Sequence, residues 1–289
     1  MENMTLGTLA FICGPAPTSG YGVTLSPNVQ GLDAPDYRIV QYPIPGQDYA
    51  RVSANFYDAR TITLEGMIQG QNPTDYRQRR QALSTACLLQ RDSNGYPVTT
   101  KLQFTTMDGN SYFVNVIPKR PVFADTYLTW TKYQVSLVAP DGRIYGTSQQ
   151  TIGSITTLIG GGFVVPCVVP VIGSGSSGGS ATITNSGNVE SHPIITFTGP
   201  LTSPYVQNQT SSYAFQLDYT IPGGSSVVVD MYNKTVVLNG SQNLISAMDA
   251  TNNFWWTILP GQNTIQLSTS NSGDGGYVSV SVYPAYAGV

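Results

Sequence analysis

A mainly β protein of two domains is predicted by three observations on the 289-residue sequence. Thirty glycines and nineteen prolines punctuate short apolar runs, only 10% of residues are charged, and the basic residues stop abruptly halfway along. This turn-rich, weakly charged composition suits a globular β protein and not a disordered chain. Twelve of the thirteen Lys/Arg lie within residues 1–150 beside eleven acids, a net +1, whereas Lys234 and five acids follow, a net −4. No arginine comes after Arg143. So sharp a change in charge usage marks a domain boundary within PDGRIYGTSQQTIGS, residues 140–154. It divides the chain into residues 1–147 and 148–289.

The first domain reads as strands with one α-helix and a hairpin. In ARTITLEGMIQG, residues 59–70, Ile62, Leu64 and Ile68 share one face of a strand. PTDYRQRRQALSTACLLQR follows as a helix, with Pro73 at its start and Tyr76, Leu83, Ala86 and Cys87 on one side. Arg77, Arg79, Arg80 and Arg91 lie on or beside it, a basic face suited to solvent or to a salt-bridged subunit contact. In KLQFTTMDGNSYFVNVIP, Leu102 and Phe104 run down, Asp108-Gly109 turns, and Tyr112, Val114 and Val116 return. YLTWTKYQVSLVAPDG adds a strand with Tyr133, Val135 and Leu137 on one face.

The second domain reads as a β-sandwich. After a Gly/Ser loop, SGSSGGS at 174–180, come PIITFTG, YAFQLDYTIPGG, SVVVDMYNKTVVLNG, FWWTILPGQNTIQLS and GYVSVSVYPAY. Short alternating runs between Gly/Asn/Pro turns are the pattern of a sandwich or jelly roll. Strand periodicity puts Phe254, Trp256 and Ile258 on the core side and Trp255 on the other, a candidate for stacking on a ligand or a partner.

Reactive chemistry is scarce. The single histidine, His192, precedes a strand and has no strand–turn–helix nucleophile elbow to serve. His/Cys/acid spacings for a metal are missing, and the GGG at 160–162 lacks the lysine of a phosphate loop. Cys13, Cys87 and Cys167 are too far apart for a disulfide framework and read as free thiols. Glu190, Asp218, Asp230, Asp249 and Asp274 are the only acids of the second domain, and strand or turn roles account for them better than paired catalysis. The expectation is therefore a protein that is not an enzyme, without catalytic residues, cofactor or metal. No apolar run reaches the length of a membrane span, the N-terminus lacks the features of a signal peptide, and the net charge of −3 gives no nucleic-acid signature.

The order of motifs resembles the distal tail protein (Dit) family of siphophages. YDARTITLEGMIQG, the helix YRQRRQALSTAC and the hairpin LQFTTMDGNSYFVNVIP follow the family's order in the first half. GGGFVVPCVVP, ITNSGNVESHPIITFTG, VVVDMYNKTVVLNG and FWWTILPGQNTIQL do so in the second. The resemblance implies a first domain that forms a hexameric ring continuous with the tail tube and a galectin-like second domain, in the compact form without a grafted binding module. It implies residence at the distal end of the virion tail, where the ring joins the tube to the tip or baseplate. Partners would be further copies of the chain, the tail tube protein, the tape-measure protein and tail-tip or baseplate proteins. DNA would pass through the lumen without specific binding, so Arg77, Arg79 and Arg80 would face subunit contacts. A galectin-type sugar site is not expected, because the second domain has no arginine. The competing readings are a carbohydrate-binding adhesin for host-surface saccharide, using Trp255, Tyr205 or Tyr213, and a hydrolase using Asp218 and Asp230.

Overall fold

The computed structural model describes residues 3–13, 21–26, 29–124, 126–157, 179–249, 251, 254–271 and 273–289. GGGFVVPCVVP, Cys167 and most of SGSSGGS lie outside the described residues. Two compact units are present: residues 1–147 with 286–289, and residues 148–285. The segment 286–289, placed by the sequence with the second domain, therefore belongs to the first. Side-chain and backbone bonds hold it there: Ala287 O accepts from Arg60 Nη2, Val289 N donates to Leu32 O at 3.2 Å, and Tyr286 packs edge-on to Tyr112.

In the first unit the elements run β1 (Asn3–Leu6), β2 (Leu9–Phe11), β3 (Gly22–Leu25), β4 (Tyr37–Pro43), β5 (Ala50–Tyr57), β6 (Arg60–Gln69) and α1 (Pro73–Ala86). Then come β7 (Thr100–Thr105), β8 (Ser111–Pro118), β9 (Val122–Ala124), β10 (Trp130–Ala139) and β11 (Ile144–Gly146). The main sheet has the order β2-β1-β7-β8-β10-β6-β3, with β9 paired to β10 and β11 to β8. Ile62, Leu64 and Ile68 of β6 are buried, opposite Leu137, Val135 and Thr131 of β10. Gly66 is required there, since a Cβ would lie 1.9 Å from Thr24 O of β3. The freed space admits the Tyr133 hydroxyl, which donates to that carbonyl at 2.8 Å.

Helix α1 begins as its sequence dictates. Asn72 Oδ1 accepts from the Thr74 and Asp75 amides at 3.0 and 2.9 Å, and Pro73 fills the position where no amide is needed. Tyr76, Leu83 and Cys87 are buried against the sheet, while Arg77 is exposed. The β7–β8 hairpin pairs Leu102 with Val114 and Phe104 with Tyr112, and Gly109 takes the turn at φ +81°.

The second unit contains β12 (Gln150–Thr156), β13 (Ser180–Asn185), β14 (Ile194–Thr198), β15 (Leu201–Thr202), β16 (Tyr205–Asn208), β17 (Tyr213–Gln216) and β18 (Thr220–Ile221). It continues with β19 (Ser226–Asp230), β20 (Thr235–Leu238), β21 (Gln242–Asn243), β22 (Gly261–Ser268) and β23 (Tyr277–Val282). A six-stranded sheet, β12-β23-β14-β19-β20-β21, and a four-stranded sheet, β13-β22-β16-β17, send their inward residues into one core. Phe197, Val229 and Val280 come from one sheet, and Ile183, Phe215 and Leu267 from the other. The arrangement is a β-sandwich.

Short polar side chains hold its turns. Asn263 donates to Leu259 O at 2.8 Å and accepts from Leu259 N at 3.1 Å, closing the LPGQN turn from within the core. Asn185 donates to Val189 O at 2.8 Å and accepts from Gly187 N at 3.0 Å. Gly187 cannot carry a side chain, because its Cβ would lie 1.8 Å from Ala285 O. Asp230 accepts from the Tyr232 and Asn233 amides, both at 2.9 Å, at the β19–β20 turn.

The tryptophan pair departs from the alternation expected of it. Trp256 and Ile258 are buried, but Phe254 is 53% exposed beside Tyr213, and Trp255 packs half-buried against the same core, 5.6 Å from the Phe215 ring. The cause is local. Residues 254–257 form no strand; the backbone pairs at Phe254 N with Ala214 O and again at Ile258 with Ser191. Without a continuous ladder, side chains are not forced to alternate. Trp256→Ala is expected to destabilise the second unit by about 3–5 kcal/mol, and Trp255→Ala by clearly less. Urea unfolding followed by circular dichroism measures both.

Candidate assembly surface

Strands β4 and β5 stand apart from both core sheets as a two-stranded ribbon joined by PIPGQD. Such a ribbon is marginal in water unless something covers it. This one carries large apolar side chains on both faces. Tyr37, Ile39 and Val52 share one face with Tyr57; Phe56 and Tyr42 share the other with Arg38 and Arg51. Tyr37 and Tyr57 rings pack at 5.6 Å, and the Arg38 guanidinium lies 5.6 Å from the Phe56 centroid. All four of Tyr37, Tyr42, Val52 and Phe56 are more than half exposed, and Tyr49 near the tip is 64% exposed.

The root of this arm is rigid. Asp58 N donates to Asp36 O at 2.9 Å across its base. Loop 141–143 presses on it: a Cβ on Gly142 would meet Asp58 O at 2.8 Å and the Pro35 ring at 3.3 Å. Three residues beyond the arm's last strand, Arg60 is only 4% exposed. Its guanidinium donates to Gly142 O at 2.8 and 3.2 Å, to Gly31 O at 2.9 Å, and to Asp33 O and Ala287 O. Burial pulls its pKa down, opposed by the charges of Asp33 and Asp141. Arg143, paired with Asp141 at 3.2 Å, leans over Tyr57 at 5.6 Å.

The arginines named from the sequence do not act as one patch. Arg79 pairs with Asp75 at 2.9 Å within the helix, and that bond together with the Gln71 amide holds the Asp75 carboxyl below its usual range. Arg80 stacks over Phe123 of β9 at 4.3 Å, Arg77 is exposed, and Arg91 donates to Gly95 O at 2.7 Å. Burial pushes the Cys87 thiol up to about 11.

The acids of the second unit are not brought together, and Asp230, Asp249, Asp274 and Glu190 are occupied locally. Asp274 is buried, accepting from the Thr202 amide and hydroxyl and from Asn271 Nδ2 at 3.0 Å. Glu190 accepts from Thr257 Oγ1 at 2.9 Å, Asp249 from the Thr251 amide at 2.8 Å, and Asp218 is exposed. His192 packs edge-on to Tyr232 at 5.3 Å. Among the described residues no group of three or more His, Cys, Asp or Glu is placed to hold a metal, and no helix is long and apolar enough to cross a membrane.

Sequence reasoning missed the arm. Its signal was present in YRIVQY and ARVSANFY flanking PIPGQD, but apolar residues on both faces match no one-sided strand pattern. Arg60 gave no signal, since a charge at a strand's start is unremarkable.

Residues 186–283 match the family model of the siphovirus-type tail component, C-terminal domain. The chain is similar to the siphophage distal tail proteins, in sequence over this segment and in fold over nearly its whole length. It superposes on the SPP1 Dit protein, described as a paradigm of the hub adsorption apparatus in phages infecting Gram-positive hosts, with TM-score 0.61 and 17% identity, covering 90% of this chain and 92% of that one. Chains of the phage P2 baseplate in its activated conformation share the fold as well. The calcium form gives TM-score 0.53 and 9% identity over 92% of this chain and 91% of that one. The strontium form gives 0.54 and 10% over 99% and 98%. Comparison with curated protein sequences returns no match.

Arg60→Met leaves four carbonyls without their shared donor and is expected to cost about 3–5 kcal/mol. Arg60→Lys recovers only part, because an ammonium cannot reproduce the planar fork. Thermal unfolding gives the stability, and amide exchange at residues 286–289 and 57–58 reports release of the tail and the arm's root.

Proposed function

We propose that this chain is the structural hub of a long-tailed phage, a distal tail protein whose copies close into a ring between tail tube and tail tip. The arm carries the reading. A ribbon with apolar side chains on both faces, fixed at its root and bare in the single chain, is built to be covered by another copy. The family match and the shared fold support the same role. Six copies would form the ring through the first unit, with the galectin-like sandwich outside it, at the distal end of the virion tail. Tail tube, tape-measure and baseplate proteins are the neighbours such a hub contacts. The role is one of scaffolding rather than of catalysis.

DNA must cross such a ring without being held, and phosphate contacts from Lys/Arg dominate DNA affinity. Arg77 and Arg80 are accordingly assigned to subunit contacts and not to the lumen. Half-buried in its own core, Trp255 offers a partner or ligand only its outer edge. Tyr213 and Phe254, exposed side by side, are the better platform for the adhesin reading, and saccharide binding lost on Tyr213→Ala on a glycan array would favour it.

Negative-stain images and mass photometry of the purified chain at micromolar concentration test the ring. Closed rings are expected. Replacing residues 38–56 by a two-residue turn is expected to abolish them while leaving the thermal transition of the second unit unchanged. A chain that stays monomeric with its arm intact would remove the ring reading.

A further inference from the structure

The four-stranded sheet of the sandwich turns an unusual face outward. Ile183, Val206, Phe215 and Leu267 of β13, β16, β17 and β22 point into the core. The residues between them point the other way. The register sets those side by side. Tyr205 lies between Ser268 and Gln216, and Gln207 lies beside Gln266. Ser180, Thr182 and Thr184 extend the rows beyond Gln266, Thr264 and Gln262. Adjacent strands are about 4.8 Å apart, so amides and hydroxyls form one continuous surface around the Tyr205 ring.

No Lys, Arg, Asp or Glu occurs in these four strands. The whole unit is poor in charge, so that alone distinguishes nothing, but its amides are segregated. Five of the eight glutamines in residues 148–285 gather here: Gln207, Gln209, Gln216, Gln262 and Gln266. The six-stranded sheet has glutamine only in its edge strands β12 and β21, and its outer face carries half-buried Ile194, Val228 and Val237 instead. The amide face is also fixed in place. Gln209 Nε2 donates to Gln266 Oε1, Gln209 N donates to Thr264 O at 2.9 Å, and Thr210 Oγ1 accepts from Thr264 N at 3.1 Å. Groups ordered beforehand lose less freedom when a ligand arrives.

The chemistry of this face selects its ligand. An amide or a hydroxyl both donates and accepts, as a sugar hydroxyl does, whereas an ammonium only donates and a carboxylate only accepts. Neutral groups give up their water at less cost than charges. A tyrosine ring adds an apolar surface with a polar tip. A charged polymer would find no counter-charge here.

We propose that the outer face of the β13-β22-β16-β17 sheet binds an uncharged saccharide chain, with Tyr205 stacked on a sugar ring and Gln207, Gln216 and Gln266 bonded to its hydroxyls. This site is separate from the Tyr213–Phe254 pair. Tyr213 is registered with buried Asn208 and so points to the core side of the sheet. The inference goes beyond the hub reading and stands without it.

A glycan array of neutral and charged oligosaccharides tests it on the full-length chain. Affinity electrophoresis then follows, in gels containing dextran, laminarin or galactomannan. Binding to neutral glycans is expected, and it should persist in about 1 M salt, where contacts between exposed charges are screened. Tyr205→Ala, and the double variant Gln207→Ala with Gln266→Ala, are each expected to weaken it by about tenfold. Tyr213→Ala is expected to leave it unchanged. An unaltered thermal transition of the second unit shows that the variants stay folded. A chain that binds no neutral glycan overturns the site, as does binding confined to charged glycans and abolished by salt. Binding that survives Tyr205→Ala and the double glutamine variant but not Tyr213→Ala overturns it too. Mass photometry of the same preparations keeps the two readings apart: rings without saccharide binding remove this site alone, and binding without rings removes the hub alone.

Discussion

One buried cation organises the first unit. Arg60 is taken out of water at a cost that only a complete set of acceptors can offset. The carbonyls that satisfy it come from the loop before the arm, from the loop after β10, and from the returning segment at 286–289. The guanidinium therefore couples three stretches that lie far apart in the sequence. The arm springs from this junction, which is why a ribbon with little core of its own can have a defined root. An alanine here would leave acceptors stranded; a lysine would reach only some of them.

The second unit is stabilised differently. Its core is wholly apolar in the middle, and buried asparagine carboxamides hold several of its turns at the ends of strands. Asn185 and Asn263 each donate and accept within a single turn, so these two loops are fixed without a buried charge. A carboxamide that is fully paired rigidifies without the desolvation cost of an ion. This accounts for the poverty of Lys and Arg after residue 143: nothing in the sandwich calls for a cation.

Much of this was written in the sequence. The β6 stripe, the β7–β8 hairpin and α1 follow from two-residue or helical periodicity together with Asn72, Pro73 and Gly109, all local rules. The break in charge usage falls where the chain passes from one unit to the other. The arm was not legible, because a ribbon that is apolar on both faces resembles neither a surface strand nor a core strand until its isolation is seen. Trp255 misled because alternation presupposes a ladder that residues 254–257 do not make. The turns around Asn185 and Asn263 were visible as motifs, but their reason, a carboxamide turned inward, depends on partners such as Ala285 that lie far along the chain.

The contact between Arg60 and Ala287 spans 227 residues. A ribosome must therefore translate the entire sandwich before the guanidinium acquires its last acceptor. Until then the guanidinium has only the carbonyls of Gly31, Asp33 and Gly142. Synthesis of the second unit therefore precedes completion of the polar junction that organises the first.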